Sequence, residues 1–382
     1  MTWDASPNPL TELLQQKKSE GAVLLDLTES NPTRTGLEYP QEEILATLHD
    51  PGILRYEPDP RGLKRAREAV AEYYADRSFV VSPDHVLLTA STSEAYSYLF
   101  KLIAEPGDQL LVPRPSYPLF EYLAAVESVT VAQYPLRYDG TWHIDFAALE
   151  AAINKRTKAI VVVNPNNPTG SFLKEDERQR LDFLASARGI AILSDEVFAD
   201  YEFGEDETRV VSLLRSPKTL TFAMSGLSKS CGLPQMKLGW IVAAGEGHKK
   251  AIEGLEWVAD TFLSVATPVQ IALPGLLRHG AKVREQIRQR TRENLAILHK
   301  CVSDQSPCHV LRTEGGWYAT LQVPAIQSEE QWAIELLRED DVQVQPGYFY
   351  DFEKEAFLVL SLLTPCETFA EGIRRILARL HS

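Results

Sequence analysis

Three side chains set the chemistry this chain can attempt: an amide, a carboxylate and a primary amine, in that order along the sequence. Asn167 stands inside Asn164-Pro-Asn-Asn-Pro-Thr-Gly170, Asp195 ends the apolar run Gly189-Ile-Ala-Ile-Leu-Ser-Asp195, and Lys229 sits in Ser225-Gly-Leu-Ser-Lys-Ser-Cys-Gly-Leu-Pro-Gln-Met-Lys-Leu-Gly239. A lysine amine condenses with an aldehyde once it is unprotonated, and desolvation or a nearby cation moves it toward that state. A carboxylate at the end of a buried run is costly unless it meets a cation, and a protonated pyridine nitrogen is one. A ring held in that way accepts electrons from a carbanion, and the amide has a hydrogen bond to give to a phenolate oxygen on the same ring. Once released, the lysine amine can carry a proton. The plainer jobs of these residues are a helix N-cap for the aspartate and turn chemistry for the asparagine. A turn and a ligand contact are compatible.

Short apolar runs must position these groups. Residues 86–89, 109–112, 159–163, 190–193, 219–222 and 239–243 read as fully buried strands, with helical patterns at 93–103, 145–153 and 174–187 between several of them. Continuous apolar strands separated by helices predict a mostly parallel sheet covered on both faces. Ligands bind such sheets at the carboxyl ends of strands, where Thr89, Asn164 and Asp195 fall. A long amphipathic pattern from Pro268 to about Asp304 leads toward a smaller α+β part. That part is expected to hold 309–323, a helix at 328–339, a strand at 357–362 and a final helix at 368–381. The boundaries fall near 46 and 280, giving a large domain over 47–280 and a small one from 1–46 and 281–382.

Composition narrows the partners. With 382 residues, 44% of them apolar, the chain can bury a large core and divide into two domains. A net charge of −14 and the lack of a basic block argue against nucleic acid and anionic membranes as partners. The first twenty residues are polar, and no run is apolar enough for a signal core or a membrane span, so a cytoplasmic location is the expectation. Cys231, Cys301, Cys308 and Cys366 show no metal-ligand spacing and are expected as thiols. Cys231 follows Lys229 closely, although free cysteine is usually small core filler. Gly245-Glu-Gly247 has Lys250 where a dinucleotide loop needs its third glycine, and it comes late in the chain, which argues against a nicotinamide dehydrogenase.

Over nearly its whole length the chain resembles the class I/II aminotransferases, the fold-type I pyridoxal phosphate enzymes. The match rests on Asn167-Pro-Thr-Gly170, on Asp195-Glu-Val197 and on Ser228-Lys-Ser-Cys-Gly-Leu-Pro234, in that order. The resemblance implies an α/β fold with a mostly parallel seven-stranded sheet between helices and a smaller α+β domain. It implies pyridoxal 5'-phosphate as cofactor and amino transfer between an amino acid, or a related amine, and a 2-oxo acid. Lys229 would carry the Schiff base, Asp195 would face the pyridine nitrogen and Asn167 the phenolate oxygen. Tyr117, in Pro113-Arg-Pro-Ser-Tyr-Pro118, would stack on the ring. Ser91, Thr92 and Ser93, in Thr89-Ala-Ser-Thr-Ser-Glu-Ala95, would hold the phosphate at a helix start, together with Ser228 and Lys237. Tyr56, in Arg55-Tyr-Glu-Pro-Asp-Pro-Arg-Gly62, matches a tyrosine that reaches the phosphate of a neighbouring subunit, which implies a homodimer. Asn31 and Arg34, in Ser30-Asn-Pro-Thr-Arg34, would border the substrate.

Several positions depart from that pattern. Lys237 replaces an arginine, so a point charge stands where a planar fork is usual. Gly226 replaces a frequent serine, Ser91 a glycine, and Phe198 a tyrosine that would hydrogen-bond the phenolate oxygen. Val359, in Phe357-Leu-Val-Leu-Ser361, occupies the slot of the arginine that grips the substrate α-carboxylate. Three explanations stand: another cation does that work, with Arg34 ahead of Arg55, Arg61 and Arg312; the substrate lacks the usual carboxylate; or the alignment to the family shifts at this strand. A lyase or decarboxylase on the same fold, or a non-catalytic paralogue that binds the cofactor, are the alternative readings.

Overall fold

A computed structural model describes residues 8–303, 305–354 and 356–381; the first seven residues assigned to the small domain lie outside it. The apolar runs pair into one eight-stranded sheet. Across it lie Val86–Thr89, Gly239–Ala244, Thr221–Gly226, Ala191–Asp195, Thr157–Val163, Gln109–Arg114, Thr130–Tyr138 and Trp142–Ile144. Gly239–Ala244 runs antiparallel to both neighbours and Trp142–Ile144 antiparallel to Thr130–Tyr138; the remaining pairs are parallel. The expected count of seven is thus corrected to eight. Two strands escaped the sequence reading: Thr130–Tyr138 is half-exposed, carries Pro135 and has no unbroken apolar run, and the edge strand Trp142–Ile144 is only three residues long.

Inner strands are buried along their length and send alternate side chains to opposite faces. Leu110, Val161, Leu193 and Ile241 pack under the helices Thr92–Ile103 and His248–Phe262, with Leu99, Phe100 and Leu255. Their neighbours Leu111, Ile160 and Ile192 join Leu181 and Leu184 of the helix Glu175–Arg188 on the other face. Val242 and Trp240 meet Val70, Leu273 and Leu276 there as well.

A second sheet is antiparallel and four-stranded: His309–Val310, Tyr318–Gln322, Phe357–Ser361 and Gln345–Pro346. Its core unites Leu321 and Leu358 with Trp332, Phe369 and the N-terminal residues Leu10 and Leu27. The helix Thr267–Cys301, 35 residues long, serves both cores, through Leu273 and Leu276 at one end and Leu295 and Leu298 at the other. Where it crosses, Val283 and Ile287 pack with Phe198, Trp317, Tyr318, Tyr350 and Val359 in an aromatic cluster between the sheets. No helix among the described residues is long and apolar enough to cross a membrane.

Candidate active site

Parallel register builds the site. Val163 pairs with Asp195, and Asp195 with Met224, so three strands end side by side; Asn164 N–H donates to the Asp195 carbonyl at 2.8 Å. Beyond Val163 the chain turns through Gly170, whose φ of +68° favours glycine, and a Cβ there would meet the Gly315 carbonyl at 2.5 Å. Glu314 N–H donates back to the Gly170 carbonyl at 3.1 Å. That turn holds Asn167, buried, at the wall of a cavity of about 380 Å³. Ser91, Thr92, Ser93, Tyr117, Asp195, Ser228, Lys229 and Lys237 line the same cavity.

One end suits an anion. Ser91 caps the helix Thr92–Ile103: its hydroxyl accepts from Glu94 N–H at 3.2 Å, while the Glu94 carboxylate accepts from Ala90 N–H at 2.6 Å. Its φ of −169° is ordinary extended backbone, so a side chain in place of glycine brings no strain. First-turn N–H groups and the positive end of the helix dipole attract negative charge to this lip. Lys237 arrives from the facing hairpin, where Leu227 N–H donates to the Leu238 carbonyl at 3.0 Å and Gly239 packs against the Ser91 backbone. A Cβ at Gly226 would come within 2.9 Å of Gly239 Cα, so a serine hydroxyl is not admitted there unless the strands shift.

The other groups face each other in a largely dry setting. The Asp195 carboxylate accepts from Tyr96 O–H at 3.1 Å and Val197 N–H at 3.2 Å. Burial raises its pKa to about 6 against the pull of those bonds and of Lys229. Lys229 lies 4.7 Å from the Trp317 ring centroid and 5.6 Å from that of Phe198. Burial lowers its pKa to about 8, and the Asp195 charge only partly offsets this. Tyr201 O–H holds the Lys229 carbonyl and Ser230 Oγ donates to the Gly226 carbonyl at 2.9 Å, fixing the short helix Leu227–Ser230 that carries the amine. The sign of the shift sets a pH dependence. Only the free amine attacks, so the rate at which apoprotein captures pyridoxal phosphate should climb toward pH 8 and flatten above it. Stopped-flow absorbance across this range checks it, and a rate still climbing past pH 10 would mean an ordinary lysine.

Not every expected residue arrives. Tyr56 is 76% exposed and lies in a separate groove with Leu263 and Ser264. Asn31 and Arg34 do not line the cavity: Asn31 Oδ1 accepts from Thr33 N–H and Oγ1, and Arg34 is exposed. Their neighbour Ser30 does line it, as does Tyr318. Arg312 is engaged with Asp206 and Glu314, and Arg61 with Glu256. Cys231 is buried in the core, with its thiol pushed up to about 12, so it is inert. Tyr96 was missed by sequence reasoning, although it lies one turn beyond Thr92 on the face that starts at the anion lip.

The family model described as aminotransferase class I and II matches residues 23–376. The chain belongs to the class I and II aminotransferases. Among curated relatives of this aminotransferase, a glutamate–pyruvate aminotransferase of Haemophilus influenzae is 26% identical, covering 94% of this chain and 91% of the relative. An S-alkyl-thiohydroximate lyase of Arabidopsis thaliana is 31% identical over 58% of this chain and 49% of its own. A solved aminotransferase from Escherichia coli shares the fold, with a TM-score of 0.87 at 23% identity over 100% of this chain and 99% of that one. The family's cofactor is pyridoxal phosphate, and the cavity of this aminotransferase fits it on three counts. The Asn167 amide lines the cavity with no hydrogen-bond partner among the described residues, so its N–H2 group is free to donate to a phenolate oxygen. Asp195 is a desolvated carboxylate suited to a cationic ring nitrogen. The Ser91–Ser93 lip is built for a dianion.

Proposed function

We propose that this aminotransferase moves an amino group from an amino acid or related amine to a 2-oxo acid with Lys229 as both anchor and proton carrier. When bound, pyridoxal phosphate supplies the electron sink. Asp195 holds the pyridine nitrogen protonated, with Tyr96 and Val197 fixing the carboxylate. Asn167 takes the phenolate oxygen, Tyr117 covers the ring, and Ser91, Thr92, Ser93, Ser228 and Lys237 hold the phosphate. With the cofactor held, the Lys229 amine would take the proton from the donor α-carbon and carry it, shielded from water by Phe198 and Trp317. A homodimer belongs to this reading: Tyr56 is exposed alongside Leu54 and Trp257, apolar surface that suits a second copy whose phosphate Tyr56 would reach. So do a large domain over 47–280, a small one from 1–46 and 281–382, and a cytoplasmic residence in which the four thiols stay reduced.

The observation that carries the reading is the convergence of Asn167, Asp195 and Lys229 on one cavity. Its test is an absorbance titration of cofactor-loaded protein with glutamate, alanine and tyrosine, without acceptor. The expected result is pyridoxamine phosphate and the matching 2-oxo acid in equal amounts. Release of ammonia or carbon dioxide instead would move the protein to the lyases, toward the thiohydroximate lyase it partly matches.

A further inference from the structure

The cavity lining carries few charges, and its one carboxylate, Asp195, faces Lys229. Its lining cations, among the described residues, are Lys229 and Lys237, and Lys237 sits on the hairpin that closes the phosphate lip. The apolar part of its lining falls in two places: Phe120 and Leu123 pack beside Tyr96, and Phe198 and Tyr318 belong to the aromatic cluster between the sheets. Behind Phe198 and Tyr318 lies Val359, fully buried and paired in register with Thr320, so the strand offers no guanidinium. Of the arginines nearby in the fold, Arg290 donates to the carbonyls of Thr35 and Leu363, Arg312 pairs with Asp206 and Glu314, and Arg34 is exposed on the loop that turns Ser30 to the cavity and does not line it.

A carboxylate also stands on this side. Glu29 precedes the cavity residue Ser30, and its carboxylate accepts from Asn31 N–H at 2.8 Å. That carboxylate adds to the burial that pushes the Tyr318 phenol up to about 12. Tyr117 and Phe120 also line a neighbouring groove of about 410 Å³ that carries Glu121 and Asp351 and, among the described residues, no lining cation. A carboxylate turned toward this wall would be desolvated without a partner, which opposes binding. An aryl or alkyl body turned toward it would bury apolar surface, which favours binding.

We propose that this site recognises its amino donor by an apolar body of aromatic size packed against Phe198 and Tyr318, and not by ion-pairing an α-carboxylate. Arylalkyl amines therefore serve as donors alongside the amino acids of the same side chain. The inference rests on the aminotransferase reading. With 2-phenylethylamine the donor C–N bond breaks, and the carbon is oxidised by two electrons to phenylacetaldehyde, its oxygen coming from water. The nitrogen and the electron pair end on the cofactor as pyridoxamine phosphate.

The test uses the cofactor-loaded full chain and four donors in two pairs: phenylalanine with 2-phenylethylamine, and alanine with ethylamine. Single-turnover rate constants over apparent Kd are compared. Within each pair the values should agree to about tenfold, and each phenyl donor should exceed its small counterpart by about a hundredfold, as expected for burying a ring. A bidentate guanidinium would instead make each amino acid better than its amine by on the order of a hundredfold or more. That outcome overturns the inference and leaves amino transfer standing. No conversion with any donor, in protein whose Lys229 has taken up the cofactor, overturns both. A second readout needs no chemistry: calorimetric titration with 3-phenylpropionate and 3-phenylpropanamide, equal in body and different in charge. Dissociation constants within about threefold support the inference, and a tenfold preference for the acid sinks it.

Discussion

Replacing Lys229 with alanine should end turnover. The proton-transfer share alone is worth about 10²–10⁴-fold, and the variant also loses the amine that anchors the cofactor. Misfolding will not explain the loss. Lys229 is a desolvated cation whose pKa has dropped to about 8, so its surroundings disfavour the charge it carries at neutral pH. Removing that charge should leave the melting temperature unchanged or higher, despite the small space opened beside Trp317 and Phe198. Three measurements check the prediction together: the single-turnover rate with an amino donor, thermal denaturation, and mass spectrometry after borohydride reduction. The wild type should carry reduced cofactor on the peptide that contains Lys229, and the variant on none. An alanine variant that still produces keto acid at the wild-type rate would remove Lys229 from the site.

Asp195→Asn should lower turnover by about 10²–10³-fold, the range for losing one preorganised electrostatic contact to a developing charge. The substitution keeps the shape and leaves an oxygen for Tyr96 O–H or Val197 N–H, which the carboxylate serves at 3.1 Å and 3.2 Å. It removes the anion that would keep the ring nitrogen protonated. Folding should not suffer, because burial already raises the carboxylate pKa to about 6, a sign that the ionised form is disfavoured before the cofactor arrives. Lys229 should still capture pyridoxal phosphate in this variant, and the deficit should appear in the proton-transfer step. Solvent-exchange of the donor α-hydrogen, followed by mass spectrometry, isolates that step. Exchange within tenfold of wild type would show that Asp195 does not hold a charged ring.

Local pattern determined much of this molecule. The inner strands were legible because a strand buried on both faces must be apolar throughout, and all six expected runs appear in the sheet within a few residues. Asn167, Asp195 and Lys229 were legible because each closes or follows such a strand, and parallel strands in register put their ends together. Ser91 to Ser93 were legible as hydroxyls at a helix start. The rest depended on partners far apart in the chain. Tyr96 meets Asp195 across 99 residues, a pairing that no spacing rule anticipates. Arg34 looked like a substitute for the missing guanidinium, yet its loop turns Ser30 to the cavity and leaves the arginine exposed. Only the packing of Phe198 and Tyr318 with Val359 between the two sheets showed that the cavity meets aromatic side chains in front of that valine. Sequence fixes what a residue can do within a turn or a strand of its neighbours, and so it named the cofactor chemistry. Which side chains share a wall is set by segments far apart in the chain, and so the tertiary structure decided which residues line the cavity.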